Sequence, residues 1–257
     1  MVDPIHVTRW GDRGPRALLI HGGAQGTQSA GHKNFWAQEA LAAQSWQLVV
    51  PDRPGHGASA SPGRGDDPVA DAGALSHLLG DGAHLVGHSF GGLVALAMTA
   101  ALPGAVKSLT LIEPALQKVS VRHPAVRKTV LGLAWTMLMP YRPATKSRRA
   151  MRILGIPADQ FTLSEAELDS MGRALSKAKF PSRSMMEAWL ALVRDQGIPF
   201  QILSGSASPS FIGVGEIAAP LGGGVNVIVP SKHHFLQWEG ESFNVLMSEF
   251  WEKAEQQ

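Results

Sequence analysis

The sequence predicts an α/β architecture: a doubly wound, mostly parallel sheet with helices on both faces and one inserted helical cap. Three observations carry that expectation. Short apolar runs of strand length alternate with stretches of helical periodicity over most of the chain. The alternation breaks once, between residues 113 and 199, where a long stretch rich in Leu, Met and Trp lacks a strand pattern. A serine flanked by glycines, Gly87-His88-Ser89-Phe90-Gly91, stands where one strand pattern turns directly into a helix pattern.

In chain order, residues 5–10 read as an edge strand, and residues 17–20, 48–50, 84–86, 108–112, 200–203 and Val225–Val229 as buried strands. Helical spacing appears at residues 35–44, 69–79, 90–102 and 243–253. In the third of these, Leu93, Val94, Leu96, Ala97, Ala100 and Ala101 recur on one face. Strands alternating with helices give parallel sheets covered on both sides, with functional residues on loops leaving the strand C-termini. The expected division is a core formed by residues 1–114 and 198–257, with residues 115–197 as the cap.

Composition narrows the function classes. The chain has 257 residues, 44% of them hydrophobic and 17% charged, which suits one large core. A net charge of +2 gives no whole-molecule argument for a nucleic-acid partner. Without cysteine there is no disulfide, no thiol nucleophile and no thiolate metal site. The start, MVDPIHVTRW, lacks a basic segment leading into an apolar run, and no uninterrupted apolar stretch reaches 18 residues. The expectation is a soluble cytoplasmic protein without a membrane span. Residues 114–158 hold nine Lys or Arg and no Asp or Glu, read either as a solvated face or as attraction to an anionic substrate or acidic surface.

Acyl transfer needs a nucleophile, a base, an orienting acid and donors for the oxyanion. Glycines two residues either side of Ser89 relieve crowding at the turn and lift its hydroxyl into the open, against the plainer reading of a helix-capping serine. The Phe90 N–H follows the nucleophile directly, and the loop His21-Gly22-Gly23 after a strand offers Gly23 as second donor. A phosphate cradle competes weakly there, since neither G-x-G-x-x-G nor a Walker pattern is present. His233 and His234, just beyond the last strand, are placed to serve as base. His21 and His56 read as turn-shaping residues and Asp52 as a brace of the turn it opens.

Taken together, HGG at 21–23, DRPGHGAS at 52–59, GHSFGG at 87–92 and KHHFLQWE at 232–239 resemble the α/β-hydrolase superfamily, in that family's order and over most of the chain. The resemblance implies that His234 is the catalytic histidine and that the cap lies between the sixth and seventh family strands. It also exposes a departure. The aspartate expected after the penultimate strand is replaced, in Gly205-Ser206-Ala207-Ser208-Pro209, by Ser208. Some branches place the acid one strand earlier, which selects Glu113 in LTLIEPAL, with Glu216 a weaker substitute.

The resulting expectation is a serine hydrolase that cleaves a carboxylic ester or lactone through an acyl-enzyme, without metal or organic cofactor. Its small-molecule substrate carries an apolar acyl or alcohol part. Among the apolar cap residues Leu131, Leu133, Trp135, Met137, Leu138, Met139, Met185, Met186 and Trp189, the four Trp135, Met139, Met185 and Trp189 are singled out as substrate-binding, with cap–core packing as the bland alternative. Two rival functions are a carbon–carbon bond hydrolase acting on a β-diketone or ring-cleavage product, and a non-catalytic ligand binder on the same scaffold.

Overall fold

The computed structural model describes residues 5–23, 34–157 and 163–257. Seven strands form one sheet: β1 (Val7–Trp10), β2 (Arg16–Ile20), β3 (Gln47–Pro51), β4 (Ala83–His88), β5 (Val106–Ile112), β6 (Phe200–Gly205) and β7 (Val225–Val229). Their spatial order is β1-β3-β2-β4-β5-β6-β7. Only β1 runs antiparallel to its neighbour; every other pair is parallel. Strand β4, which leads into Ser89, is therefore central, and all six of its residues are buried.

Side-chain alternation along the strands supplies both layers of the core. Leu18 and Ile20 of β2 face one cluster, shared with Leu75 of α1 (Pro68–Leu75) and Leu93, Val94 and Leu96 of α2 (Phe90–Ala101). Ala17 and Leu19 face the opposite cluster, built on Trp46 and on Phe243, Met247 and Trp251 of α8 (Glu241–Glu255). Each large apolar side chain taken out of water contributes about 1.5–3 kcal/mol, so these two layers dominate the favourable side of folding.

Among the described residues, four helices lie between β5 and β6: α3 (Pro124–Leu138), α4 (Pro143–Leu154), α5 (Glu165–Lys177) and α6 (Arg183–Asp195). They do not form one unit. Ala144 and Met151 of α4 and Leu168 of α5 make a small cluster of their own. By contrast Met186, Leu190 and Val193 of α6 are buried in the α2 cluster. The expected cap boundary at residue 197 thus takes in a helix that packs as part of the core layer. Helix α7 (Pro209–Leu221), absent from the sequence expectation, covers β6 and β7. The stretch at 35–44 is a 3-10 segment, Trp36–Gln44, and the one at 69–79 divides into α1 and a 3-10 turn, Ser76–Leu79. No helix among the described residues is long and apolar enough to cross a membrane.

Candidate active site

β4 ends at His88 and α2 starts at Phe90, so Ser89 alone makes the turn, at φ 53° and ψ −117°. A positive φ at a non-glycine residue costs on the order of 1–3 kcal/mol and persists only where surroundings impose it. Here the Ser89 N–H donates to Ile112 O at 2.9 Å, while the Ser89 carbonyl accepts from Gly92 N at 3.0 Å and Ala115 N at 3.1 Å. The turn is also too tight for side chains. A Cβ on Gly87 would lie 2.4 Å from Gly91 O, and one on Gly91 would lie 2.4 Å from both Ile20 O and His21 O. Gly91 thus lets the helix start press against the loop leaving β2, which brings Gly23 to the same cavity as Ser89 and Phe90.

Glu113 follows β5 and also has positive φ, 40°, with its N–H donating to Leu203 O at 2.9 Å. Its side chain is fully buried. One carboxylate oxygen accepts from Gly205 N at 2.9 Å, and the other accepts from His234 Nδ1. His234 lies in the loop after β7. Its ring stacks on Phe211 at 4.7 Å between centroids, its N–H donates to Gly155 O at 3.1 Å, and its carbonyl accepts from His88 Nε2 at 2.9 Å. Sheet, cap and α7 therefore all fix the orientation of this imidazole.

Burial governs the charges. It lowers the pKa of His234, with the nearby His233 in the same direction, so the ring is neutral at pH 7. It raises the Glu113 carboxyl, opposed by the Gly205 N–H and by His233. A neutral imidazole carrying its proton on Nδ1, held by Glu113, leaves Nε2 as an acceptor. His88 and His21 are also held neutral by burial. His21 accepts from Arg53 N at 2.8 Å and donates through Nδ1 to Gly22 O at 2.8 Å, a turn-shaping contact.

The other carboxylates and histidines considered from sequence lie elsewhere. Glu216 is more than half exposed and pairs with His123 at 3.5 Å. His233 accepts from Phe235 N through Nδ1 and packs edge-on to Trp238. Asp52 accepts from Ala58 N at 3.0 Å and braces its turn.

Ser89, His234, Phe90 and Gly23 open onto a cavity of about 210 Å³. Its apolar wall comes from Leu133 and Met137 of α3, Met151 and Leu154 of α4, Met171 and Leu175 of α5, and the aromatics Phe180 and Phe211. Trp135, Met139, Met185 and Trp189, expected to bind substrate, are not among its lining residues. Helix phase explains the correction. Leu133 and Met137 are four residues apart and share the inward face, whereas Trp135 falls on the opposite face and is 54% exposed. Met139 caps the end of α3, Met185 is 45% exposed, and Trp189 packs against the α2 cluster. The signal for the α4 and α5 wall was present as i, i+3, i+4 spacing at Met151–Leu154 and Met171–Ala174–Leu175.

A buried ionic cluster underlies the loop leaving β2. Arg53, fully buried, donates to His21 O, Gly22 O and Asp71, and pairs with Asp66 at 3.2 Å. Its guanidinium also lies 4.8 Å from the centre of the Phe90 ring. Among the described residues, no group of three His, Asp or Glu side chains is arranged to hold a metal ion.

A sequence profile described as the alpha/beta hydrolase family matches residues 17–243. The chain belongs to that family. This hydrolase is 34% identical over 208 residues to the lipase LipV of Mycobacterium tuberculosis (strain ATCC 25618 / H37Rv), covering 77% of this chain and 75% of that protein. It is 33% identical over 169 residues to a pimeloyl-[acyl-carrier protein] methyl ester esterase of Chromobacterium violaceum, which spans 63% of each chain. In fold it is similar to the crystal structure of a putative lipase from Acinetobacter baumannii AYE, with TM-score 0.67 and 19% identity over 97% of this chain and 88% of that one. The chain is thus a hydrolase enzyme with ester-cleaving relatives.

Proposed function

We propose that this hydrolase cleaves a carboxylic ester or lactone bearing an apolar acyl or alcohol group, through an acyl-enzyme on Ser89. The observation that carries the reading is the Glu113 carboxylate on His234 Nδ1, with His234 and Ser89 on one cavity wall. In this mechanism His234 Nε2 takes the Ser89 proton as the oxygen attacks the carbonyl, then returns it to the leaving alcohol. Glu113 holds the tautomer and stabilises the imidazolium that forms. The Gly23 and Phe90 N–H groups receive the negative oxygen, aided by the positive end of α2. Water then repeats the sequence on the acyl-enzyme and frees the acid.

The cavity favours an ester with an apolar chain over an anionic ring-cleavage product, because its lining among the described residues holds no Lys or Arg and includes Asp66. That weakens the carbon–carbon hydrolase reading. A neutral, oriented base beside a strained serine also has no use in a passive binder. The test is a fluorophosphonate probe with peptide mapping, run beside a p-nitrophenyl ester series from two to twelve carbons. Adduct on Ser89 and turnover of chains of intermediate length support the proposal. No adduct, or no ester or lactone turned over, refutes it.

A further inference from the structure

Helix α3 is apolar on two opposite sides, and only one of them is used inside the protein. Val126 packs into the main core, with Val130 against it, and Leu133 and Met137 wall the cavity. The opposite face presents Leu131, Trp135 and Leu138, which are 63%, 54% and 78% exposed. At helical spacing these three fall within one narrow stripe, since 131, 135 and 138 are separated by four and three residues. Water gains nothing from such a stripe, and a surface helix normally places charge there.

Cations surround it. Arg127 and Lys128 precede Leu131 by four and three residues on the same face and are exposed, and Arg142 is exposed just beyond the helix end. None of the three forms an ion pair with another described residue. The flanking sequence from 114 to 158 contains no acidic residue at all. A Trp and two Leu rimmed by unpaired Lys and Arg match an interface in which hydrocarbon lies beneath a negatively charged layer. A protein partner of ordinary composition would leave those cations unmatched.

We propose that the outer face of α3 docks this protein on anionic lipid surfaces, with Leu131, Trp135 and Leu138 entering the interface and Arg127, Lys128 and Arg142 meeting the headgroups. The same helix lines the catalytic cavity with its other face, so docking sets that cavity beside the lipid layer. The contact is sequence-independent of Ser89, and its test reads binding without turnover.

The experiment is flotation of the full-length protein with phosphatidylcholine vesicles containing 30% phosphatidylglycerol, against pure phosphatidylcholine vesicles. Binding to the anionic vesicles at least tenfold stronger than to the neutral ones is expected, weakening as salt shortens the reach of exposed charge to about 3 Å at 1 M. Leu131→Ser with Trp135→Ser, and separately Arg127→Glu with Lys128→Glu, should each lower vesicle binding at least tenfold. Both pairs are solvent-facing, so circular dichroism and turnover of a soluble short ester should match wild type. Equal binding to both vesicle types, or unchanged binding by either double variant, overturns the proposal. So does a wild-type dimer in sedimentation that Leu131→Ser with Trp135→Ser converts to monomer, because the stripe would then be covered by a second copy.

Discussion

Replacing Glu113 by Gln tests the site most sharply, because the two are isosteric and differ only in hydrogen-bonding capacity. The carboxylate has two acceptor oxygens and uses them on two donors, Gly205 N–H and His234 Nδ1. Glutamine offers one acceptor and one donor. If its oxygen stays on Gly205, its NH2 faces His234 Nδ1, which must then be unprotonated. The ring proton moves to Nε2, the nitrogen proposed to receive the serine proton, and the base is disabled. If the amide turns round, its NH2 opposes the Gly205 N–H and a buried donor goes unmatched, at about 1–3 kcal/mol. The disabled tautomer is therefore favoured by roughly 5- to 150-fold. Loss of the negative partner weakens the imidazolium further, since a hydrogen bond to a charged group is worth about twice a neutral one. Together these give an expected fall in kcat of about 10²–10⁴. KM should change by less than about threefold, since Glu113 touches no substrate and the removed interaction acts on the transition state. Steady-state kinetics on a soluble ester, with thermal melts to check folding, measure this. A kcat within tenfold of wild type in a folded Glu113→Gln protein would refute the assignment.

Three further outcomes are expected. Ser89→Ala and His234→Ala should each remove several powers of ten from kcat, whereas His233→Ala should stay near wild type; a larger loss at His233 than at His234 would transfer the base role. Burial depresses His21, His88 and His234 below 6.5, so the unfolded chain binds more protons than the folded one under mild acid, and their contribution is lost as pH falls below 6.5. The raised Glu113 works in the opposite direction and offsets part of this loss; an unfolding midpoint in urea that is equal at pH 6.5 and 5.5 would contradict this. Arg53→Met leaves the buried Asp71 with Arg64 as its one remaining arginine partner and frees the His21 and Gly22 carbonyls, which should cost about 3 kcal/mol and lower Tm by about 10 °C, and an unchanged melt would show the cluster to be dispensable.

Much of this was legible in the sequence because it rests on local chemistry. Strands β2 to β6 are short apolar runs whose burial on both faces leaves a continuous pattern, and Ser89 announces itself through Gly87 and Gly91; Val225–Val229, expected to be buried, is instead the edge strand β7, with Val225 and Ile228 exposed. Helix α7 was not legible, since Gly213, Gly215 and Pro220 lower its intrinsic preference and only packing over β6 and β7 forms it. The cavity wall was misassigned for a different reason. Trp135 and Met137 are equally apolar in sequence, and only the phase of α3 against the core sends one to solvent and the other to the cavity. The buried partners of Arg53 come from residues 18 to 32 positions away, a distance over which no periodicity speaks.

The position of the acid follows from strand register, and that yields the last prediction. Gly87 pairs with Leu111 and His88 with Ile112, while Leu111 pairs with Ile202 and Ile112 with Leu203. One residue further along these rows stand Ser89, Glu113 and Ser204, so Glu113 is level with Ser89 on the adjacent strand. Ser208, where relatives of the common pattern carry aspartate, lies beyond the end of β6 at the start of α7. It is one helical turn from Phe211, whose ring stacks on His234. An aspartate there can approach the histidine edge from β6 while the β5 position is neutral. It will also be drawn to the free N–H groups at the start of α7, because aspartate is a favoured N-cap. That competition limits the recovery, and we predict that Ser208→Asp raises kcat of the Glu113→Gln protein about tenfold without reaching wild type. The same substitution in the wild-type background should lower activity, because a second carboxylate beside the buried Glu113 makes ionising Glu113 harder. If Ser208→Asp leaves the double variant as slow as Glu113→Gln while Tm is maintained, the β6 position has lost its line to His234, and β5 alone can hold the acid in this chain.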